Sequence, residues 1–123
     1  MRIPAIDETD TKYFQLTTNT SVITDANVRF NDCYFDPITR LVHIEYEVYS
    51  AGKKVPGKNV TVANVPAGYR PSATVQRAAL VQVTLADQRT EDCYIDTAGD
   101  IKMNNFVVGQ DVQLFTLFIT YKI

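Results

Sequence analysis

The chain has 123 residues, of which 46% are hydrophobic and 21% are charged, and its formal net charge is -2. This length and balance are typical of a single soluble domain with one core and exclude an intrinsically disordered chain. Lysines and arginines are scattered among acids, so the composition also argues against a nucleic-acid partner.

Residues 1–20 carry little periodic pattern. They are interpreted as a linker or N-terminal extension, with an added edge strand or the stub of a longer protein as open alternatives. Acidic residues stand where a signal peptide needs an apolar core, and no apolar run approaches a membrane span. We therefore expect no membrane insertion, and we assign the folded domain to residues 21–123.

From about residue 21, apolar and polar residues alternate with a period of two, which predicts an antiparallel β-sandwich or barrel. A first strand is predicted with Val22, Val28 and Phe30 on one face. Cys33 and Phe35 continue the pattern until a turn at Asp36 and Pro37.

The clearest alternation lies between residues 42 and 49. Its predicted core face consists of Val42, Ile44, Tyr46 and Val48. His43 and Glu45 share the opposite face, where a histidine and a carboxylate could ligate a metal or move a proton. No third partner is specified, so a solvated strand face is the preferred interpretation.

The following segments alternate between loops and strands. We predict a solvated loop over residues 50–59, a short strand from Val60 that ends before Pro66, a strand over residues 74–85 and a polar loop over residues 86–91. A tight hairpin follows, in which Cys93 and Ile95 lead through Thr97-Ala98-Gly99-Asp100 to Ile101 and Met103. Gly99 is expected to supply a positive φ.

The last run, from Val112 to Ile123, has apolar residues on both faces. One face carries Phe115, Leu117, Ile119, Tyr121 and Ile123. The opposite face carries Val112, Leu114 and Phe118. One interpretation is a central strand covered by its own domain. The alternative is a strand with one face packed against identical chains around a symmetry axis.

Two five-residue segments are alike. Asp32-Cys33-Tyr34-Phe35-Asp36 and Asp92-Cys93-Tyr94-Ile95-Asp96 share four of five residues. Chance similarity between hairpins is the simplest explanation, and a disulfide or an ancient duplication are alternatives. Two cysteines are too few for a disulfide scaffold and lack the spacing of a zinc site.

The same two segments supply the candidate binding residues. Alternation places Tyr34 on one face with Asp32 and Asp36, and Tyr94 likewise with Asp92 and Asp96. A tyrosine ring can stack on the C–H face of a sugar while neighbouring carboxylates accept hydrogen bonds from the sugar hydroxyls. The alternative is that these are ordinary tyrosines at sheet edges.

No catalytic constellation is apparent. The sequence has no glycine-rich phosphate cradle, no nucleophile elbow and no metal-ligand spacing, so we predict no cofactor, no metal and no enzymatic activity. A glycosidase would need two carboxylates facing each other across a cleft, and a small domain with shallow strands argues against such a cleft.

The stretch Asn64-Val65-Pro66-Ala67-Gly68-Tyr69-Arg70-Pro71-Ser72, with the later hairpin from Tyr94 to Ile101, resembles a pattern of bacteriophage tail proteins. In the C-terminal domains of tail-fibre, baseplate and receptor-binding proteins, a similar loop precedes strands and a glycine-containing hairpin. Val65 stands where leucine is usual. Pro66 and Gly68 suit a turn, so Tyr69 and Arg70 are expected to anchor the loop rather than contact a receptor.

The resemblance implies a jelly-roll-like β-sandwich head that assembles as a homotrimer. It further implies a virion protein of the tail tip or baseplate, assembled in the host cytoplasm, that binds host cell-surface saccharide without cleaving it. The alternative is a structural baseplate or virion-decoration protein whose partners are other phage tail proteins.

Overall fold

The computed structural model describes residues 10–23, 27–49, 55–56, 60–103 and 111–123. These residues form eleven β-strands and contain no helix. The predicted all-β, antiparallel fold class is confirmed. Accordingly, the described part of the chain has no helix that could cross a membrane.

The strands range from two to ten residues in length. They are β1 (Lys12–Phe14), β2 (Thr17–Thr18), β3 (Asn27–Asp36), β4 (Leu41–Tyr49), β5 (Val55–Pro56), β6 (Val60–Asn64), β7 (Val75–Thr84), β8 (Asp87–Ile95), β9 (Asp100–Met103), β10 (Asp111–Val112) and β11 (Leu114–Lys122). Strands β5 and β10 form a separate two-stranded pair, and the other nine form one sheet in the order β1-β3-β4-β11-β7-β8-β9-β6-β2.

This sheet curls until its two edges meet. The edge strands β1 and β2 are separated in sequence only by Gln15 and Leu16. The hydroxyl of Tyr46 on β4 is 2.6 Å from that of Thr18 on β2, at the opposite end of the strand order. The two halves of the sheet therefore face each other across one core, as the layers of a sandwich do.

Alternation along β4 and β11 builds much of that core. The inward side chains of β4 are almost fully buried, as predicted, and so are those of Phe115, Leu117, Ile119 and Tyr121 on β11. The inner face of β11 is thus covered by the domain itself. On its outer face Thr116 is buried, Leu114 is half-buried and Phe118 is 60% exposed.

The start of β3 differs from the prediction. Val28 pairs with Val48 on β4, and Phe30, two residues later, pairs with the adjacent Glu47. The register against β4 therefore shifts by one residue between Val28 and Phe30. This bulge at Arg29 puts Val28 and Phe30 on opposite faces instead of one shared face. Val28 is 40% exposed, and Phe30 lies on the outer face beside Phe118.

The loop predicted over residues 86–91 is wrong. Residues from Asp87 onward belong to β8 and pair with β7 as far as Thr84, so only Leu85 and Ala86 form the turn. Side chains along this stretch are largely exposed, which explains their polar character. Backbone pairing with β7, and not burial of a face, makes this segment a strand.

The two motifs that resemble phage tail proteins contact each other. Arg70 donates to the carbonyl of Val65 and to the side-chain oxygen of Asn64, whose amide donates in turn to Asp100. A Cβ on Gly99, which has a φ of 84°, would lie 2.5 Å from the carbonyl oxygen of Val65. The loop and the hairpin therefore form one packed unit.

Tyr69 and Pro71 complete the anchoring of this loop. The ring of Tyr69 stacks on Phe14 with centroids 4.3 Å apart, and its carbonyl accepts a hydrogen bond from the Tyr121 hydroxyl. Pro71 is buried. These contacts match the anchoring role expected for Tyr69 and Arg70.

Residues before position 21 also take part in the sheet. Strand β1 pairs with β3, and β2 pairs with β6, which corresponds to the added edge strand considered for this region. The boundary between residues 20 and 21 stays a prediction. Most of the predicted loop over residues 50–59 lies outside the described residues, except that Val55 and Pro56 pair with β10.

Candidate functional site

The three candidate residues of β3 share its outer face. Cys33 and Phe35 are buried in the core, so alternation directs Asp32, Tyr34 and Asp36 away from it. The structure therefore places these side chains on the face that the sequence indicates, and it adds neighbours from β1, β4 and β11.

Tyr34 belongs to a row of outward side chains that crosses four strands. The register pairs Tyr13 with Tyr34, Tyr34 with His43, and His43 with Thr120. The rings of Tyr34 and His43 stack with centroids 4.5 Å apart, and Tyr13 lies 6.3 Å from Tyr34. We call Tyr13, Tyr34 and His43 the aromatic row.

The two ends of the aromatic row differ in exposure. Tyr13 on the edge strand is 80% exposed, and Tyr34 and His43 are half-buried. At the other end, the Nδ1 of His43 is 3.0 Å from the Thr120 hydroxyl, which fixes the plane of the imidazole. The aromatic row is thus a surface with one exposed ring, that of Tyr13, and two rings that stack on each other, those of Tyr34 and His43.

A second row on the same face carries carboxylates. Asp32 pairs with Glu45, and Glu45 pairs with Phe118. Both carboxylates are exposed. Asp32 lies beside a hollow of about 420 Å³ lined also by Tyr13 and Gln15, and Glu45 lies beside one of about 110 Å³.

Asp36 has a structural role. Its carboxylate accepts a hydrogen bond from the backbone N–H of Ile38, and its carbonyl accepts one from the N–H of Arg40. The N–H of Ile38 stabilises the charged form and lowers the pKa of Asp36 below its ordinary value. This side chain stabilises the turn between β3 and β4, so it is the weakest ligand-binding candidate on this face.

The three candidate residues of β8 lie in different surroundings. Tyr94 pairs with Gln76 on β7 and Lys102 on β9, and Asp92 pairs with Ala78. No ring contact of Tyr94 occurs within the described residues. This segment therefore has a single tyrosine on its outer face, in contrast to the aromatic row.

Asp96 is also occupied within its own hairpin. Its Oδ1 accepts hydrogen bonds from the N–H groups of Ala98 and Asp100, and its Oδ2 lies 3.3 Å from the ammonium of Lys102. Desolvation raises the pKa of Asp96, but the N–H of Asp100 and the Lys102 ammonium outweigh it, so that pKa lies below its ordinary value.

The two candidate segments do not form one site. Strands β4, β11 and β7 separate β3 from β8, which corresponds to a path of about 19 Å along the curved sheet, over four strand spacings. Asp32 and Tyr34 therefore lie far from Asp92 and Tyr94. Among the described residues, further aromatic side chains join the β3 segment but not the β8 segment.

Sequence reasoning did not identify Tyr13 as a binding candidate and assigned His43 to an ordinary solvated face. The sequence alone contains no signal for their proximity to Tyr34, since it depends on the registers of β1 and β4 against β3. Tyr13 lies in the stretch interpreted as an extension. A long-range pairing, and not a local motif, assembles this face.

The two cysteines are free and buried, so the alternative of a disulfide between them is not supported. Burial raises the pKa of the Cys93 thiol to about 12 and that of Cys33 to about 11. Both thiols are therefore neutral at physiological pH and belong to the core rather than to a reactive site.

Within the described ranges, no group of three histidine, cysteine, aspartate or glutamate side chains could hold a metal ion. What the outer face of β1, β3 and β4 offers is ring surface for stacking and exposed carboxylates for accepting hydrogen bonds. This combination suits recognition of a polar ligand with apolar C–H faces.

Comparisons with known proteins support the fold. Neither a protein family model nor a curated protein matches the chain. A similar solved structure is the receptor binding protein (gp15) of Listeria phage PSA, with a TM-score of 0.62 and 13% sequence identity. The match covers 94% of this chain and 68% of that protein. The chain therefore has a fold like that of a phage receptor-binding protein.

Proposed function

We propose that this chain is the receptor-binding domain of a phage tail protein, located at the tail tip or baseplate of the virion and assembled in the host cytoplasm. The observation that carries this proposal is the likeness of nearly the whole chain to the Listeria phage receptor binding protein. The interlocked loop and hairpin, which resemble phage tail proteins in sequence, support it independently.

The proposed ligand is a saccharide of the host cell surface, bound at the outer face of β1, β3 and β4. Tyr13 supplies an exposed ring for stacking, and Tyr34 supplies a second ring supported by His43. Asp32 projects beside these rings, and its carboxylate can accept hydrogen bonds from the hydroxyls of the sugar. Because Tyr13 and Asp32 are exposed and Tyr34 is half-buried, a sugar can reach the Tyr13 ring, the uncovered part of the Tyr34 ring and the Asp32 carboxylate without rearrangement of the sheet.

The proposed activity is binding without cleavage. Asp32 and Glu45 project side by side from neighbouring strands of one sheet face, whereas glycosidases place their two carboxylates on either side of the scissile bond. Asp36 and Asp96 accept hydrogen bonds from their own turns. The proposal accordingly includes no cofactor and no bond-breaking step.

The proposal also includes assembly as a homotrimer through the outer face of β7 and β11. Leu80 is 48% exposed there and, with Leu114, lines a groove of about 330 Å³. Apolar side chains on an outer sheet face are costly to leave in water, and a second copy would cover them. Light scattering should then give three times the chain mass, and a monomer would contradict this part.

Binding to bacterial surfaces tests the main proposal. The purified chain should bind polysaccharide from the cell walls of a susceptible strain, and a Tyr13→Ala, Tyr34→Ala double variant should lose that binding. Tyr94→Ala serves as the matched control, because it removes a tyrosine from the similar segment on β8. If no cell-wall polysaccharide from a broad strain panel binds, the proposed function is wrong.

The second candidate function is a structural role in the baseplate or as virion decoration. The exposed side chains of Leu80 and Phe118 favour it, because another tail protein could cover them. This role predicts tight binding to a tail component and none to host cells. A pull-down with purified tail proteins, compared with a cell-binding assay, separates the two functions.

A further inference from the structure

The carboxylates on the outer face of β4 are unequally neutralised. Glu47 accepts a hydrogen bond from the Thr116 hydroxyl at 2.6 Å and lies 3.3 Å from the Arg29 guanidinium. Two residues earlier on the same face, Glu45 is exposed and forms no ion pair with any described residue. One carboxylate is therefore satisfied within the protein and the other is not.

Glu45 lies directly opposite the carboxylate of Asp32, which likewise forms no ion pair with a described residue. Like charges directly opposite each other on neighbouring strands are destabilising. Phe118 on β11 pairs with Glu45, and the outward cation Lys122 lies four residues further along β11. The distance along the strand from Phe118 to Lys122 is about 13 Å. A cation from outside the chain would relieve this repulsion.

The rings and hollows beside this carboxylate pair indicate the kind of cation. Asp32 shares its hollow of about 420 Å³ with Tyr13, a size within the range of small-molecule sites. Glu45 shares the smaller hollow with His43 and Phe118. The two hollows share no lining residue, and the direct pairing of Asp32 with Glu45 is what connects them. A ligand that spans this pair would contact both carboxylates and the neighbouring rings, which suits a positively charged group attached to an apolar ring face.

We infer that this face prefers a saccharide carrying free, protonated amino groups over its neutral or N-acetylated counterpart. This inference rests on the proposed saccharide-binding function and adds the charge of the ligand. The ammonium group lies between Asp32 and Glu45, and the C–H face of the sugar ring lies on Tyr13 and Tyr34. Acetylation removes the charge and with it the attraction to the two carboxylates.

A pair of oligosaccharides of equal length tests the inference on the full chain. The probes are a β-1,4-linked glucosamine tetramer and its fully N-acetylated form, titrated calorimetrically at mildly acidic pH and low salt. We expect the glucosamine tetramer to bind about fivefold more tightly. Added salt should reduce this preference, because both partners are exposed to solvent.

Isosteric variants separate the charge from the ring surface. Asp32→Asn with Glu45→Gln should bring the two affinities within about twofold of each other, because the shape is kept while the charges are removed. Asp92→Asn, the matched change on β8, should leave the preference intact. A tetralysine peptide should bind more weakly than the glucosamine tetramer, since it has no ring face for Tyr13.

The outcomes distinguish this inference from the function on which it rests. Equal affinity for the two tetramers, binding of neither, or stronger binding of the N-acetylated form overturns the preference for amino groups. Tetralysine bound as tightly as the glucosamine tetramer also overturns it, since charge alone would then explain the binding. In each case, binding of host cell-wall polysaccharide by the same preparation would leave the proposed function standing.

Discussion

The segments Asp32 to Asp36 on β3 and Asp92 to Asp96 on β8 share four of five residues but have different surroundings. In both, the cysteine is buried and the last aspartate accepts hydrogen bonds in a turn. Tyr34, however, stacks on His43 beside the exposed Tyr13, while Tyr94 lies between Gln76 and Lys102.

The local pattern determines which side chains point outward, but it does not determine which residues surround them. Alternation fixes which side chains point outward, and the partner strands decide what they meet. The β3 segment lies beside an edge strand that contributes Tyr13, whereas the β8 segment lies between β7 and β9. We therefore propose a binding role for the first segment and a structural role for the second.

The largest expected difference in stability is between the turns that follow the two segments. Gly99 has a φ of 84° and no room for a Cβ next to Val65, so Gly99→Ala should lower the free energy of unfolding by about 3 kcal/mol. Chemical denaturation measures this. After β3, Arg40 already adopts a φ of 64°, so Arg40→Gly should change stability by less than about 1 kcal/mol.

Gly68→Ala is the control for the close approach at Gly99. Gly68 has a φ of 101°, but nothing lies within 4 Å of the position of its Cβ. Only the backbone conformation opposes the substitution, and we expect a loss of about 1 kcal/mol. A loss for Gly99→Ala no larger than that for Gly68→Ala would contradict the interlocked loop and hairpin.

The buried thiols of both segments predict a loss of stability at alkaline pH. Their pKa values are raised to about 11 for Cys33 and about 12 for Cys93, from an ordinary value of 9.0. The folded chain therefore keeps protons that the unfolded chain releases above pH 9.0, and the free energy of unfolding falls as pH rises from there. We expect a fall of about 2 kcal/mol over the next pH unit.

Thermal or urea unfolding across this pH range measures the effect. A Cys33→Ala, Cys93→Ala variant provides the control, because it lacks both titrating groups and should show a shallower slope. An unchanged slope in that variant would mean that other groups cause the alkaline loss.

Substitution by serine should lower the stability of the protein by different amounts at the two cysteine positions. The Sγ of Cys33 lies 3.7 Å from the side-chain oxygen of Asn31, which a serine hydroxyl could use as an acceptor. Cys93 has no such hydrogen bond in the described structure. We expect Cys93→Ser to cost about 2 kcal/mol and Cys33→Ser about 1 kcal/mol. Equal losses in denaturation experiments would contradict this difference between the segments.

Much of the fold could be predicted from local patterns, because alternation in β4 and the glycine turn at Gly99 are encoded by adjacent residues. The bulge at Arg29 and the polar start of β8 could not, since both depend on pairing with a neighbouring strand. The candidate site divides in the same way. Asp32 and Tyr34 are local predictions, whereas Tyr13 and His43 join them only through sheet register.

The most direct test compares Tyr34→Ala with Tyr94→Ala in binding to cell-wall polysaccharide of a susceptible strain. We predict that Tyr34→Ala weakens binding about tenfold, because it removes the central ring of the aromatic row, and that Tyr94→Ala changes it less than about twofold. Both variants should remain folded, since each side chain is only partly buried. Equal losses, or a loss confined to Tyr94→Ala, would contradict the assignment of binding to the outer face of β3.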